Sequence, residues 1–290
     1  METLEILSRK IKTSHDLLSV VKTMKSLAAV NIRQYESAAG AMDEYNVVIE
    51  NGWQVFFKNR PQFRKKKMSD QAIFLVIGSD QGMCGQFNEN IMQYALEEAN
   101  SAEVAHKEKI FWSAGERIRA GLEEEITIEE HYHLPSSPAA ISDLIYEIVE
   151  KFALLYETKR IDTFYVFFNR LERVGAYSST MEQVLPLAPR YGEDKRSQLW
   201  PNRCHPMIGV NHALFFKQLF KQHIFGTIYK AFSQSLASEN GARLAAMQAA
   251  EKNILEMEED LQGRFRETRQ NTITDELLDI ISGFEALSIV

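Results

Sequence analysis

The chain contains 290 residues, 45% of them hydrophobic and 25% charged, and its formal net charge is −7. This composition excludes disordered and collagen-like proteins. The acidic balance argues against general nucleic-acid binding, because such proteins normally present a basic surface. Two cysteines, Cys84 and Cys204, are too few for a disulfide framework or a cysteine-based metal cluster, and they indicate unpaired thiols in a reducing compartment.

No apolar run approaches the roughly 20 residues that are needed to cross a bilayer. The first five residues are acidic, where a secretory signal would be basic and then apolar. We therefore expect a protein that acts inside the cell, or at a membrane only through its partners.

The distribution of proline predicts three segments. All seven prolines lie between Pro61 and Pro206. Because proline inside a helix costs about 3 kcal/mol, long proline-free ends with helical periodicity indicate long helices. We expect an N-terminal coiled-coil helix over residues 1–60, an α/β domain over 61–206 and a C-terminal coiled-coil helix over 207–290.

The N-terminal segment carries an apolar seam with alternating steps of three and four residues. Such a heptad pattern predicts a left-handed coiled coil. Two polar residues, Lys25 and Asn46, lie at seam positions and could fix register or partner choice; alternatively, Lys25 extends its amine to solvent. The seam consists of Leu4, Leu7, Ile11, Ser14, Leu18, Val21, Lys25, Ala28, Ile32, Tyr35, Ala39, Met42, Asn46, Ile49, Trp53 and Phe56.

A basic run without acidic residues follows the expected end of this helix. A charge run beside a proline favours a solvated linker, and a site for phosphate or a partner is the alternative. Its members are Lys58, Arg60, Arg64, Lys65, Lys66 and Lys67.

The central segment alternates short apolar runs with amphipathic ones, which predicts βαβ units and a small, mostly parallel sheet with helices on its faces. The expected strands cover residues 72–77, 109–113, 126–129, 163–168 and 182–187. The expected helices cover residues 90–98, 117–124 and 139–156.

Motifs with recognised chemistry are scarce in this segment. There is no P-loop sequence. The glycine-rich turn at residues 79–88 follows a strand, but it lacks a lysine and the dinucleotide spacing, so a structural turn is favoured over phosphate binding. A nucleophilic Cys84 would need a general base that no spacing identifies. His131 and His133 could bind a metal from one strand face, yet no further ligand follows at a recognised spacing. We predict no catalytic, cofactor-binding or metal-binding residues.

The C-terminal segment predicts a continuous helix over residues 208–286, longer than the N-terminal one. Its apolar positions average 3.5 residues per step through Leu244, Met247, Ala250, Ile254, Met257, Leu261 and Phe265, and they resume in shifted phase at Ile273, Leu277, Ile280 and Phe284. The predicted fold is an α/β insert on a long antiparallel two-helix coiled coil. The longer helix should extend past its partner at one end.

Four stretches resemble the gamma subunit of rotary F-type ATP synthases. Residues 238–247 (SENGARLAAM) and 268–277 (TRQNTITDEL) are similar to its C-terminal helix. Residues 22–29 (KTMKSLAA) resemble its first helix, and residues 79–85 (SDQGMCG) resemble the turn after its first strand.

Three departures indicate a divergent branch, for which a sodium-type or a duplicated ATPase is a candidate. After Ala29 the family usually continues Ser-Lys-Leu-Arg-Arg, so that only Arg33 carries over from this basic patch. Gln86 replaces the last glycine of the turn. Asn240 and Gly241 stand where the family usually has His-Ala.

The resemblance implies a central rotor stalk that turns inside a ring of alternating α and β subunits and couples ion translocation to ATP synthesis or hydrolysis. It also implies contacts with an epsilon-type subunit and the c-subunit ring, a location at the cytoplasmic face of the membrane, no cofactor, and catalysis in the partners. The implied subunit contacts are Met24, Lys25, Arg33, Arg269, Gln270, Thr274 and Glu276. Two alternatives are a coiled-coil interaction protein with a ligand-binding insert and a small α/β enzyme using Cys84.

Overall fold

The computed structural model describes residues 3–59, 71–101, 108–158, 161, 163–173, 175–187, 194–195, 199–200, 204 and 206–288, and it describes side chains only up to residue 282 at the C-terminal end. The basic run from Arg60 to Lys67 lies outside the described residues. The chain divides into two compact units, one formed by Met1–Leu27 with Leu244–Val290 and the other by Ala28–Arg243.

The chain begins and ends with the two long helices that the sequence predicts. Helix α1 covers Leu4–Asn59 and helix α5 covers His212–Ser288. Every seam position of α1 from Leu4 to Phe56 is buried or half-buried, including the polar Lys25 and Asn46. The heptad pattern therefore predicted the buried face of α1 correctly along its whole length.

Within the larger unit, α1 and α5 are antiparallel. Asn31 pairs with Asn240 at 3.3 Å, and Asp43 pairs with Lys230 at 2.6 Å. As positions on α1 increase, their partners on α5 decrease, which confirms the predicted direction. The two helices also approach closely at Gly226 of α5. A Cβ atom at this position would lie 2.6 Å from the Asn46 amide oxygen of α1.

The central segment forms one five-stranded sheet. Its strands are β1 (Gln71–Ile77), β2 (Glu108–Ala114), β3 (Ile128–Tyr132), β4 (Phe164–Arg173) and β5 (Ala176–Leu185), and its helices are α2 (Phe87–Ala99), α3 (Glu116–Leu122) and α4 (Pro138–Thr158). The strand order is β3-β2-β1-β4-β5. The first four strands are parallel, and β5 pairs with β4 in the antiparallel direction. The mostly parallel sheet is confirmed.

Strand β5 differs from its predicted range, residues 182–187. It begins six positions earlier, at Ala176, directly after a turn at Gly175 with a φ of 81°. Only its last two residues, Val184 and Leu185, are fully buried. The half-buried polar part of an edge strand carries no apolar run, so the sequence pattern revealed only its buried end.

Both faces of the sheet are covered, and β1 is buried on both sides. Ile73 and Leu75 pack against α4 and the first half of α5, whereas Phe74 and Val76 pack against α2 and α3. Successive strand residues point to opposite faces, so one apolar run supplies both cores. None of the helices in the described ranges combines the length and apolar character that a membrane crossing requires.

Candidate functional site

The smaller unit contains an ion pair at one of the predicted contact positions. The Lys25 amine pairs with the Glu251 carboxylate of α5, and the side chains are 33% and 18% exposed. Lys25 therefore has a definite partner on the facing helix, which favours a role in register over simple extension into solvent. The neighbouring Met24 is half-buried.

The seam of α5 in this unit matches the predicted one except at a single position. Leu261 is buried, but Met257 is 54% exposed, and the half-buried position is Glu258. The prediction for Met257 is thus wrong by one position. Apolarity selected Met257, whereas the direction of the helix face places Glu258, four residues after Ile254, at the contact.

Beyond Thr272, the described side chains of α5 are all exposed. Lys25 pairs with Glu251, and α1 starts at Leu4, on the N-terminal side of Lys25. Because the helices are antiparallel, the position of α5 that faces Leu4 lies as far after Glu251 as Leu4 lies before Lys25, which is Thr272. Because both helices rise about 1.5 Å per residue, the first residue of α1 lies opposite the position after which the side chains of α5 become exposed. The predicted extension of the longer helix past its partner is confirmed.

The described positions of the shifted seam at the end of α5 are consequently not buried. Ile273, Leu277 and Ile280 are 48%, 55% and 58% exposed. The predicted contact residues in this region are exposed as well, and the Thr274 hydroxyl donates to the Gln270 carbonyl at 2.9 Å. The described side chains on this end that the prediction names are Arg269, Gln270, Thr274 and Glu276. The remaining predicted residue, Arg33 on α1, is exposed in the larger unit.

The glycine-rich turn after β1 is joined to α5 by hydrogen bonds from Arg243, which also forms an ion pair within the helix. Arg243 donates to the Glu239 carboxylate at 2.6 Å and to the carbonyl oxygens of Gln81 and Gly82 at 3.2 and 3.4 Å. Burial raises the pKa of Glu239, and Arg243 opposes that increase. The turn thus directs carbonyl oxygens towards a cation of its own chain, which supports the structural turn and not a phosphate site.

Cys84 lies buried inside this turn. Its Sγ atom lies 3.8 Å from the Ser79 hydroxyl, 3.7 Å from the Asn88 amide nitrogen and 3.9 Å from the Gln81 carbonyl. None of these partners is a general base. Burial also raises the pKa of the thiol, so the reactive thiolate is disfavoured. This arrangement argues against a nucleophilic role.

Three residues that depart from the family pattern, Asn31, Asn240 and Gly241, lie close to other parts of the fold. Asn31 and Asn240 are hydrogen-bonded to each other across α1 and α5. Gly241 lies against β4, because a Cβ there would be 3.2 Å from Leu171. The departures on the two helices are therefore matched to one another, and Gly241 serves a close approach that a larger side chain would tighten.

His131 and His133 lie side by side, with ring centroids 5.0 Å apart. The fold adds Glu116 from α3, and one donor atom from each of the three residues lies within 4.8 Å of the others. Burial is the main reason why the pKa of His131 is lowered, and Arg119 contributes. The sequence did not reveal Glu116, since only the parallel pairing of β2 and β3 brings α3 beside these histidines.

A family model described as ATP synthase matches residues 3–287. Curated relatives named ATP synthase gamma chain align along almost the whole length. The proteins from Geobacter sp. strain M21 and Geobacter metallireducens are 27% and 28% identical over 99% of this chain and 99% of their own. This chain belongs to the ATP synthase gamma-chain family. The resemblance found in the four sequence stretches is confirmed.

Solved structures with the same fold come from ATP synthases. One is the rotor of the Euglena gracilis mitochondrial ATP synthase, with a TM-score of 0.66, 15% identity and coverage of 93% of this chain and 98% of its own. Another, from an OSCP/F1/c-ring assembly of the same organism, has a TM-score of 0.67, 16% identity and coverage of 98% and 94%. As a member of the gamma-chain family, this chain is the central rotor stalk of a rotary ATP synthase.

Proposed function

We propose that this central rotor stalk transmits torque through the α1–α5 pair, and that residues 269–276 of α5 contact the surrounding catalytic subunits. The observation that carries this proposal is the end of α5, which is exposed beyond the start of α1 and combines polar residues with an apolar face. A helix end that no other described residue of its own chain covers suits a contact with partner subunits.

The chain itself would have no catalytic site. The glycine-rich turn is occupied by Arg243, and Cys84 lies among groups that cannot activate it. ATP chemistry would then belong to the α and β subunits. The stalk would act by presenting different faces of an asymmetric helix pair to successive catalytic subunits.

The partners would be divided between the three segments of the chain. Residues 1–60 and 207–290 would supply the contacts with the α and β subunits through Met24, Lys25, Arg33, Arg269 and the residues after it. The α/β segment, residues 61–206, would contact an epsilon-type subunit and the c-subunit ring, at the cytoplasmic face of the membrane. Support comes from the assemblies of the related structures, one described as OSCP/F1/c-ring and another as central stalk/c-ring.

A disulfide crosslink tests torque transmission through this region. In a Cys204→Ser background, Gln270→Cys should form a disulfide with a cysteine introduced on the facing surface of a β-type subunit when the complete ATPase complex is treated with an oxidant. The crosslink should abolish ATP hydrolysis, and reduction should restore it. Gel shift and hydrolysis rate are measured on the same sample.

Glu172→Cys is the matched control, because this exposed residue lies on β4 in the α/β segment. It should give no crosslink to a β-type subunit. Unchanged hydrolysis in a fully crosslinked Gln270→Cys complex would refute torque transmission through this region.

Cys84→Ala separates the rotor from the enzyme hypothesis. We expect the variant complex to keep its coupled ATPase activity, because Cys84 serves packing and not catalysis. A loss of turnover with intact assembly, measured by hydrolysis rate and gel filtration together, would favour a chemical role for the thiol.

A further inference from the structure

Two imidazoles and one carboxylate meet at the edge of the sheet, away from the helix contacts considered above. His131 lies on the edge strand β3, His133 follows one residue after the strand ends, and Glu116 is the first residue of α3. Alternation along an extended chain places His131 and His133 on the same side. The closest described separation, from His131 Nε2 to Glu116 Oε2, is 3.2 Å.

The ring of His131 is held by a partner behind it. The buried Ser113 lies opposite His131 in the β2–β3 register, and its hydroxyl is 3.0 Å from His131 Nδ1. A hydrogen bond to the far nitrogen fixes the orientation of an imidazole and leaves the other nitrogen available as a ligand, as is usual for metal-binding histidines. The nitrogen that remains available, Nε2, is the one that faces Glu116.

The two backbone segments that carry these side chains are joined to each other. The Asp80 carboxylate accepts from the Glu116 amide at 2.9 Å and from the Leu134 amide at 3.0 Å. In addition, the Gly115 amide donates to the Tyr132 carbonyl at 2.9 Å. The relative backbone positions of Glu116 and the two histidines are therefore set by the fold before any ligand binds.

We propose that Glu116, His131 and His133 form a binding site for a divalent transition metal ion of the zinc class. Two imidazole nitrogens and one carboxylate oxygen, with water as a fourth ligand, are a recurrent donor set for zinc. Nitrogen donors disfavour Mg²⁺ and Ca²⁺, which prefer oxygen. Bound metal would connect the start of α3 to the edge strand β3.

The geometry needs only a small adjustment. Zinc ligands at 2.0–2.1 Å in a tetrahedron lie roughly 3.4 Å from one another, and His131 and Glu116 already match that spacing. The donor atoms of the three residues lie within 4.8 Å of one another, so the exposed His133 must approach by no more than roughly 1.4 Å, within the reach of a side-chain rotation.

Arg119 is the group that opposes the ion. Its Nη2 donates to Glu116 Oε1 at 2.7 Å, which leaves Oε2 for the metal but adds a positive charge nearby. We therefore expect affinity in the micromolar range, weaker than that of a structural zinc site.

Metal titration of the full-length chain, prepared without a histidine tag and treated with chelator, tests this site. We expect the chain to bind one equivalent of Zn²⁺ in the titration and to give the visible absorption of four-coordinate Co²⁺. His131→Asn and His133→Asn should each lower the affinity by at least tenfold, and Ser113→Ala should lower it by about 10-fold. His15→Asn, an exposed histidine on α1, is the matched control and should bind as the parent does.

Glu116→Gln provides a second variant that keeps the shape of a side chain that is 46% exposed, and circular dichroism verifies the fold of each variant. Absence of Co²⁺ absorption in the parent at micromolar metal would overturn the proposal. Equal binding by the parent, His133→Asn and Glu116→Gln would also overturn it, because the ion would then occupy another place.

Discussion

Two stretches of helix α5 show how differently one helix can be used. Between residues 231 and 243, every side-chain position except Gln234 is buried, including Ser238 and Arg243. Between residues 273 and 282, every position is exposed, including Ile273 and Ile280. The first stretch lies between α1 and the sheet, whereas the second extends beyond the start of α1.

The comparison separates burial from apolarity. The buried stretch contains several small or polar residues, because α1 and the sheet both approach it closely. Its polar groups have partners in the fold, and the Ser238 hydroxyl donates to the Asn169 carbonyl at 2.9 Å. The exposed stretch is more apolar on one face, although no part of the chain that the structure describes covers it. Burial of a residue therefore reports how the chain packs on itself, whether or not the residue is apolar. Exposed apolar surface indicates contact with partner proteins.

The largest expected effect comes from opening the core in the buried stretch. Phe232 is fully buried in the cluster on the α4 face of the sheet, so Phe232→Ala should lower the free energy of unfolding by about 3–5 kcal/mol. Urea unfolding of the full chain measures this. Ile280→Ala, the control from the exposed stretch, should change it by less than about 0.5 kcal/mol. Equal losses would show that the two stretches are buried alike in solution.

An intermediate effect should follow from Arg243→Met. The variant leaves the Glu239 carboxylate buried without its cation, which costs about 3 kcal/mol near neutral pH. Burial already raises the pKa of Glu239, and loss of Arg243 raises it further. When folding raises the pKa of a carboxyl, the protein loses stability as pH rises from the unfolded-state towards the folded-state pKa of that group. The deficit should therefore be larger at about pH 8 than at about pH 5.

Urea midpoints of parent and variant at these two pH values measure the deficit. Adding Glu239→Gln to Arg243→Met is the control, since it removes the buried charge and should restore most of the loss. A deficit independent of pH in the single variant would mean that the carboxyl is not the source of the cost.

The smallest effect is expected at Lys25. Its ion pair with Glu251 is half-exposed, so the coupling energy between Lys25→Ala and Glu251→Ala should not exceed about 1 kcal/mol. A double-mutant cycle in urea isolates this energy, and added salt should reduce it. A coupling of several kcal/mol would mean that the helix pair excludes water there as completely as the buried stretch does.

Much of the fold could be predicted from the sequence because its signals are local. The α1 seam from Leu4 to Phe56 and the apolar run of β1 both depend on spacing alone. The polar half of β5 was missed because an exposed edge strand shows no apolar run. Met257 was placed at the contact because apolarity, and not helix direction, had been used to choose between it and Glu258.

The candidate sites divide in the same way. Gln270 and its neighbours were found through resemblance, and the structure shows them to be exposed. Glu116 could not be associated with His131 from the sequence, because the fourteen positions between them contain a helix and a turn whose direction is set by the sheet. Likewise, no spacing linked Arg243 to the turn at Gln81, 162 residues earlier in the chain.

The sequence by itself determined two long helices, a mostly parallel α/β insert and membership of the gamma-chain family, since helical periodicity, apolar runs and extended motifs are properties of neighbouring residues. Only the tertiary structure decided which polar groups meet: Arg243 with the turn, Asn31 with Asn240, and Glu116 with the two histidines. The physical reason is that such pairs depend on strand order and helix register, which arise from packing the whole chain.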